Sequence, residues 1–198
     1  MKFIFLGDVH GDLGRCSAIC TQNRDATVIQ IGDLGVGFIP KKTILKHLEH
    51  NFRFFVGNHD CREISNTIPH CLGDFGEVRN HFFFVSGANS IDKDMRIEGV
   101  SWWKDEELSY QQAGECLSQW EKSNVDVLVA HDIPQSFAEG YKLIYDRCLT
   151  RDLLQKMIEV RKPKLFISGH HHNSRRMIVK GIAWIELDIN ESHVLEFL

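Results

Sequence analysis

The sequence predicts an α/β fold made of parallel β-α-β units, and three observations predict it. Short apolar runs rich in β-branched and aromatic residues recur along the chain and, through the first 60 residues, alternate with stretches of helical periodicity. Five of these runs lead into a polar side chain of metal-ligand type close behind a glycine or alanine, which is where the strands of an open sheet deliver their loops to a ligand crevice. With 198 residues, 43% of them hydrophobic, the chain has material for one substantial core, so residues 1–198 are expected to form a single domain.

The strand candidates in order are KFIFL (2–6), ATVIQI (26–31), FRFFV (52–56), HFFFV (81–85), VDVLVA (125–130), KLFIS (164–168), GIAWIEL (181–187) and HVLEFL (193–198). Their length and flanking Gly or Asp favour strands buried on both faces. Between them, 13–20 places Leu13, Cys16, Ile19 and Cys20 at helical spacing. Stretches 41–50, 109–123 and 150–160 follow the same logic, with Ser109 and Thr150 placed to cap the last two. The last two strands are separated by one short break at NES and predict a hairpin or meander. Trp102 and Trp103 are adjacent, so in a strand one faces the core and the other the rim of a site.

Lys plus Arg number 23 against 27 Asp plus Glu, a formal charge of -4 with no long run of either sign. This argues against a general nucleic-acid or membrane surface, leaving nucleic acid only as a substrate. Only four apolar residues, Phe3 to Leu6, precede Gly7 and Asp8, too few for a signal segment or a span, so a cytoplasmic protein is expected. Six scattered cysteines with no CxxC pair read as reduced thiols. Cys61 is expected to pack. The eleven histidines are the unusual count.

The polar clusters are FLGDVHGD, QIGDLGVG, FVGNHDCR, LVAHDIP and ISGHHHN. They bring together Asp8, His10, Asp33, Asn58, His59, His131, His170 and His172. Carboxylates, imidazoles and an amide without a thiolate suit Mn²⁺, Fe²⁺ or Zn²⁺. The set exceeds one ion's needs and suits two ions about 3.5–4 Å apart. In extended backbone, residues two apart share a side, so His170 and His172 are expected to face the crevice, as are Asp8 and His10. His171 would then go to packing, to a supporting layer behind the ligands, or to solvent. Asp60 would orient a neighbour or accept a backbone bond.

In order and approximate spacing, GDVHG, GDLG, GNHD, the His of AHDIP, and GHHH resemble the calcineurin-like metallophosphoesterase superfamily, with its GDxH, GD, GNH[DE], H and GHxH pattern. The stretch 90–109 further resembles a small, compact branch met in bacteria and their phages. The resemblance implies a four-layer αββα sandwich of two mixed β-sheets flanked by helices. It implies Asp8, His10 and His172 at a first metal, Asp33 as bridge, and Asn58, His131 and His170 at a second. It implies a catalytic His59 that protonates the leaving group, and phosphoester hydrolysis by a metal-activated water with two divalent ions, Mn²⁺ foremost.

Protein phosphatases of the superfamily continue the second motif as GDxVDRG and the third as GNHE; here Asp33 is followed by LGVGF, and Asp60 ends the third motif. The phosphate-clamping arginine is missing from its usual place. Arg15, Arg62 and Arg151 are the candidate replacements, and Arg62 is the substrate-binding choice. The missing arginine and the acidic balance favour a phosphodiester over a phosphomonoester. A phosphomonoesterase or a protein or nucleotide phosphatase is the alternative, and a nuclease or a non-catalytic scaffold ranks below it.

Overall fold

Along each central strand the side chains have two destinations, and both are dry. The computed structural model describes residues 1–140 and 148–197. Its strands are β1 (Lys2–Leu6), β2 (Thr27–Gln30), β3 (Phe52–Phe54), β4 (Phe75–Val78), β5 (Phe82–Val85), β6 (Val127–Ala130), β7 (Leu165–Ser168), β8 (Arg175–Val179), β9 (Ile182–Glu186) and β10 (Ser192–Glu196). They form a four-stranded sheet in the order β10-β1-β2-β3 and a six-stranded sheet in the order β4-β5-β6-β7-β9-β8. Parallel pairs make the centre of each sheet, while β10, β4 and β8 are added antiparallel.

Phe3 and Phe5 of β1, Ile29 of β2, Phe82 and Phe84 of β5, Val127 and Val129 of β6, and Ile167 of β7 meet in a core between the two sheets. Their sequence neighbours face the other way. Ile4, Leu6 and Val28 pack with Leu13, Cys16 and Ile44 of helices α1 (Leu13–Gln22) and α2 (Lys41–His47). Phe83, Val85, Leu128 and Phe166 pack with Cys116, Trp120, Phe137, Leu154 and Met157 of α4 (Tyr110–Lys122), α5 (Gln135–Gly140) and α6 (Leu149–Val160). Strands covered on both faces have no reason to alternate in polarity, which is why they read as continuous apolar runs. The result is the expected αββα sandwich. Phe82 sits edge-on to Phe3 and Phe5, with ring centroids 5.3 and 5.1 Å apart, and stitches the two sheets together.

Three expectations are corrected. The tail is no hairpin: β9 belongs to the six-stranded sheet and β10 to the four-stranded one, because 187–191 crosses between them. Leu187 N–H donates to Ser168 O (2.8 Å), Asn190 N–H to Asp8 O (2.8 Å), and Gly7 N–H to Glu191 O (2.9 Å). The hairpin joins β8 to β9 instead, through Lys180 and Gly181, both at positive φ as a tight two-residue turn requires. Thr150 does not cap α6, which starts at Leu149 behind Cys148. Strands β4 and β8, the helix α3 (Arg62–Ser65) and α5 are additions to the expected elements, and residue 198 lies outside those described. Among the described residues no helix is long and apolar enough to cross a membrane, and the six cysteines are free thiols.

Ser109 does cap α4, accepting from Gln112 N–H while the Gln112 side chain accepts from Ser109 N–H. Ser109→Ala is expected to cost about 1 kcal/mol, because the Gln112 backbone N–H is left unpaired. The check is a lower urea midpoint at unchanged m-value.

Candidate metal centre

The loops after β1, β2 and β3 carry Asp8 and His10, Asp33, and Asn58 and His59; those after β6 and β7 carry His131, His170 and His172. The crevice is therefore assembled from both sheets, at the carboxyl ends of five strands, and all eight residues singled out in sequence reach it or its wall. Three ligand-type groups form among the described residues, and one of them, Asp132, His170 and His171, shares His170 with another. Asp8, His10 and His172 offer atoms within 4.8 Å of one another at a solvent-open position, and Asp33, His131 and His170 do so at a buried one. His10 Nε2 and His172 Nε2 lie 2.9 Å apart, and His172 Nε2 is 3.1 Å from Asp8 Oδ2. Asp33 stands between the clusters, its Oδ1 3.3 Å from His131 Nε2 and its Oδ2 3.9 Å from His10 Nε2.

The remaining atoms fix which groups face inward. His131 Nδ1 lies 2.9 Å from Ile31 O, a donor's position, which leaves Nε2 for the crevice. Asn58 donates Nδ2–H to Ser90 Oγ (2.9 Å) and turns Oδ1 to His131 Nε2 (3.1 Å). Ser90 is itself held by the buried Glu106, through its N–H at 3.0 Å and its hydroxyl at 2.5 Å. Two buried carboxylates, the Asn58 amide oxygen and four imidazoles make a donor set that fits a pair of divalent cations.

The backbone reaches this arrangement differently from the expected strand alternation. His10, Asp33, His170 and His172 all have positive φ, at 42°, 61°, 72° and 51°. The side chains share the crevice because single left-handed residues turn the chain between them, a conformation that His and Asp tolerate better than branched residues. Glycines make room: a Cβ on Gly57 would collide with Asp33 Oδ1 and His131, and one on Gly169 with Asp8 Oδ1.

Behind the ligands lies a polar layer. Asp60 accepts N–H bonds from Leu34 (3.1 Å), Gly35 (2.7 Å), Val36 (2.8 Å) and Gly57 (3.0 Å). His171 also borders the crevice, but its side chain is covered, with Nδ1 2.9 Å from Glu186 Oε1 and Nε2 3.1 Å from Arg151 Nη2. Arg151 in turn pairs with Asp132 at 3.1 Å.

Arg62 does not reach the crevice. It is buried, donating to Asp74, Ser86 Oγ and the carbonyls of Asp105 and Glu106, so its donors go to holding loops. Arg15 bonds Asn190 O instead. The guanidinium beside His59 belongs to Arg96, which sequence reasoning missed: its Nη1 and Nη2 lie 2.6 and 3.1 Å from the two ring nitrogens, while Asp92 grips it at 2.7 and 2.8 Å. The Asp–Arg spacing of four residues in 92–96 was the available signal. Trp103 is buried against Gly37, and the 101–103 stretch is not a strand.

Burial disfavours charge on His131, but Asp33 and Asp8 overcome it and push the imidazole up to about 10. Burial alone would raise Asp33; His131, with His59 and His10, instead holds its carboxyl well below the usual range. Burial drives His170 the other way, down to about 3. The raised His131 contributes stability that is full below its unfolded value near 6.5 and is lost as pH rises toward about 10; the depressed Asp33 contributes above about 3.9 and loses this as pH falls. His170, held neutral, costs stability as pH falls below about 6.5, so chelator-stripped protein should be most stable near pH 6.5 and lose Tm from about pH 7 to 9.5, read by calorimetry. A Tm level across that alkaline range would contradict the pairing.

This arrangement of strand-end carboxylates, imidazoles and an amide around two adjoining clusters fits a two-metal centre. The calcineurin-like phosphoesterase profile matches residues 1–174, and the chain belongs to that family, whose members work with a pair of metal ions. No protein of curated function matches the chain in sequence. Among solved structures, a dimetal phosphatase of Danio rerio is similar at TM-score 0.59 and 13% identity, covering 96% of this chain and 87% of its own. A candidate 5′-nucleotidase of Staphylococcus aureus is similar at TM-score 0.56 and 14% identity over 98% of this chain, which spans about half, 50%, of that protein. GAP50 of Plasmodium, described as the anchor in the inner membrane complex, is similar at TM-score 0.50 and 14% identity, covering 94% of this chain and 70% of its own. At such identities the likeness speaks to fold.

Proposed function

We propose that the chain hydrolyses phosphodiesters with two Mn²⁺ ions, and that residues 1–198 act as one catalytic domain. Asp8, His10 and His172 would hold one ion and Asn58, His131 and His170 the other, with Asp33 shared between them. The observation that carries this reading is the Asp33 carboxylate, with one oxygen turned to His131 and the other to His10. A mixed oxygen and nitrogen set without thiolate suits Mn²⁺, Fe²⁺ or Zn²⁺, and Mn²⁺ is the pair we propose. When bound, the ions supply Lewis-acid polarisation of the phosphoryl group and a water acidic enough to attack at neutral pH.

The chain's own residues position and protonate. Asp33 Oδ1 accepts His59 N–H at 2.8 Å, so the bridging carboxylate also sets the place of the imidazole. His59 donates a proton to the departing alkoxide, and Arg96 lies beside it to meet phosphoryl oxygen. Arg96 is already paired with Asp92, so beyond the ions themselves its guanidinium is a compensated clamp, which suits a monoanionic diester. The second reading, a phosphomonoesterase, is favoured by the closeness of the same guanidinium to His59, which places a donor where a dianion would need one.

The test is made on chelator-stripped protein loaded with Mn²⁺. Metal analysis should find two ions per chain, and bis(p-nitrophenyl) phosphate should be hydrolysed with a higher kcat/KM than p-nitrophenyl phosphate. One ion at saturation rejects the dinuclear reading, and an excess for the monoester rejects the diesterase preference.

His59→Asn should leave metal content unchanged and slow hydrolysis by about 10²-fold or more for esters of basic alkoxides, with the smallest loss for nitrophenolate. Equal losses across leaving groups would remove the proton from its role.

A further inference from the structure

His59 lines two cavities. One is the metal crevice, about 270 Å³, bordered by Asp33, Asn58 and His170 among others. The second, about 250 Å³, is walled by His10, Gly35, Phe38, Ile39 and His59. Apart from the two imidazoles, this second wall has no side chain that hydrogen-bonds. Phe38 is 48% exposed, yet its ring is braced, edge-on to Trp103 at 5.0 Å and 6.3 Å from the His59 ring.

The turn that presents Phe38 is built tightly. Gly37 has φ 101°, and a Cβ there would collide with the Trp103 ring and with Cys61. Ile39 N–H donates to Gly35 O at 3.0 Å, Cys61 N–H to Val36 O at 2.7 Å, and Asp60 holds the N–H groups of Gly35 and Val36. A single exposed phenylalanine needs no explanation by itself. One braced beside a proposed proton donor, in the wall of a mostly apolar cavity that shares His59 with the crevice, has a use.

We propose that this cleft is the leaving-group subsite and that it selects a flat aromatic or heteroaromatic alcohol portion, stacked on Phe38. The inference rests on the phosphoesterase reading for the role of His59: a leaving oxygen protonated there carries its substituent past the imidazole and into the cleft. Size agrees, since a cavity of about 150 Å³ accepts benzene, and about 250 Å³ leaves room for a fused bicyclic ring. Polar alcohols would find no partners on Phe38 and Ile39.

The experiment compares Phe38→Ala with wild type on phenyl phosphate and ethyl phosphate, by phosphate release with Mn²⁺. Taking the variant-to-wild-type ratio within each ester cancels intrinsic reactivity. On the order of tenfold loss of kcat/KM is expected for the phenyl ester, as for removal of an aromatic stacking platform, with the ethyl ester unchanged and Phe38→Tyr restoring the phenyl rate. Equal losses on both esters, or none on the phenyl ester, overturn the proposal.

A binding arm separates it from the parent reading and covers a poorly folding variant. Metal-stripped wild-type protein should bind adenosine, seen by ligand-observed NMR, and not glycerol, with Phe38→Leu weakening the adenosine signal. Adenosine binding by a protein that hydrolyses neither these esters nor bis(p-nitrophenyl) phosphate keeps the cleft and removes the phosphoesterase reading. Hydrolysis of both esters with no adenosine binding does the reverse.

Discussion

Asp60 is a carboxylate with no exposed surface, and it accepts hydrogen bonds from the backbone of two different loops, Leu34 to Val36 on one side and Gly57 on the other. A buried negative charge is tolerable only when its lone pairs are filled, and four N–H donors fill them here. The donors have nowhere else to go, since 34–36 lies outside the strand ladder. The same contact clamps the loop of Asp33 to the loop of Asn58. The left-handed Asp33, the inward amide of Asn58, the position of His59 and the Phe38 turn all follow from where Asp60 holds these backbones.

The second constraint crosses between the sheets. Segment 187–191 bonds Ser168 O at one end and the Gly7 and Asp8 backbone at the other. It thereby joins the loop of His170 and His172 to that of Asp8 and His10. The family profile ends at residue 174, yet the chain beyond it fixes the spacing of the two halves of the site. His171 works in the same direction from below, tied to Glu186 of β9 and to Arg151 of α6.

Much of this was legible in the sequence where chemistry and topology agree. Five apolar runs followed by Gly with Asp, Asn or His, or by the His of AHDIP, placed the crevice at strand ends, and all five clusters arrive there. The argument for His170 and His172 reached a correct juxtaposition by the wrong geometry, because periodicity assumes extended backbone and these residues are left-handed. Arg62 was chosen for nearness in sequence, but a neighbour of a site residue is as easily recruited to hold loops. Arg96 and Glu106 act from a segment with no strand or helix pattern, and only tertiary folding brings them near. The tail failed for a related reason: pairing depends on which edge is open, and NES says nothing about the edge of β1.

That edge has its own meaning. FIFL at residues 3–6 is a flat, uncharged, β-prone segment whose exposed side would template pairing with other chains. In the folded protein β2 takes one side and β10 the other, in register from Lys2 opposite Glu196 to Leu6 opposite Ser192. The partner comes from the far end of the sequence, so closing the loop between them is a late, entropically costly step. Until it closes, the strand that feeds Asp8 to the crevice presents an unpaired edge, and the tail acts as a built-in chaperone against self-association.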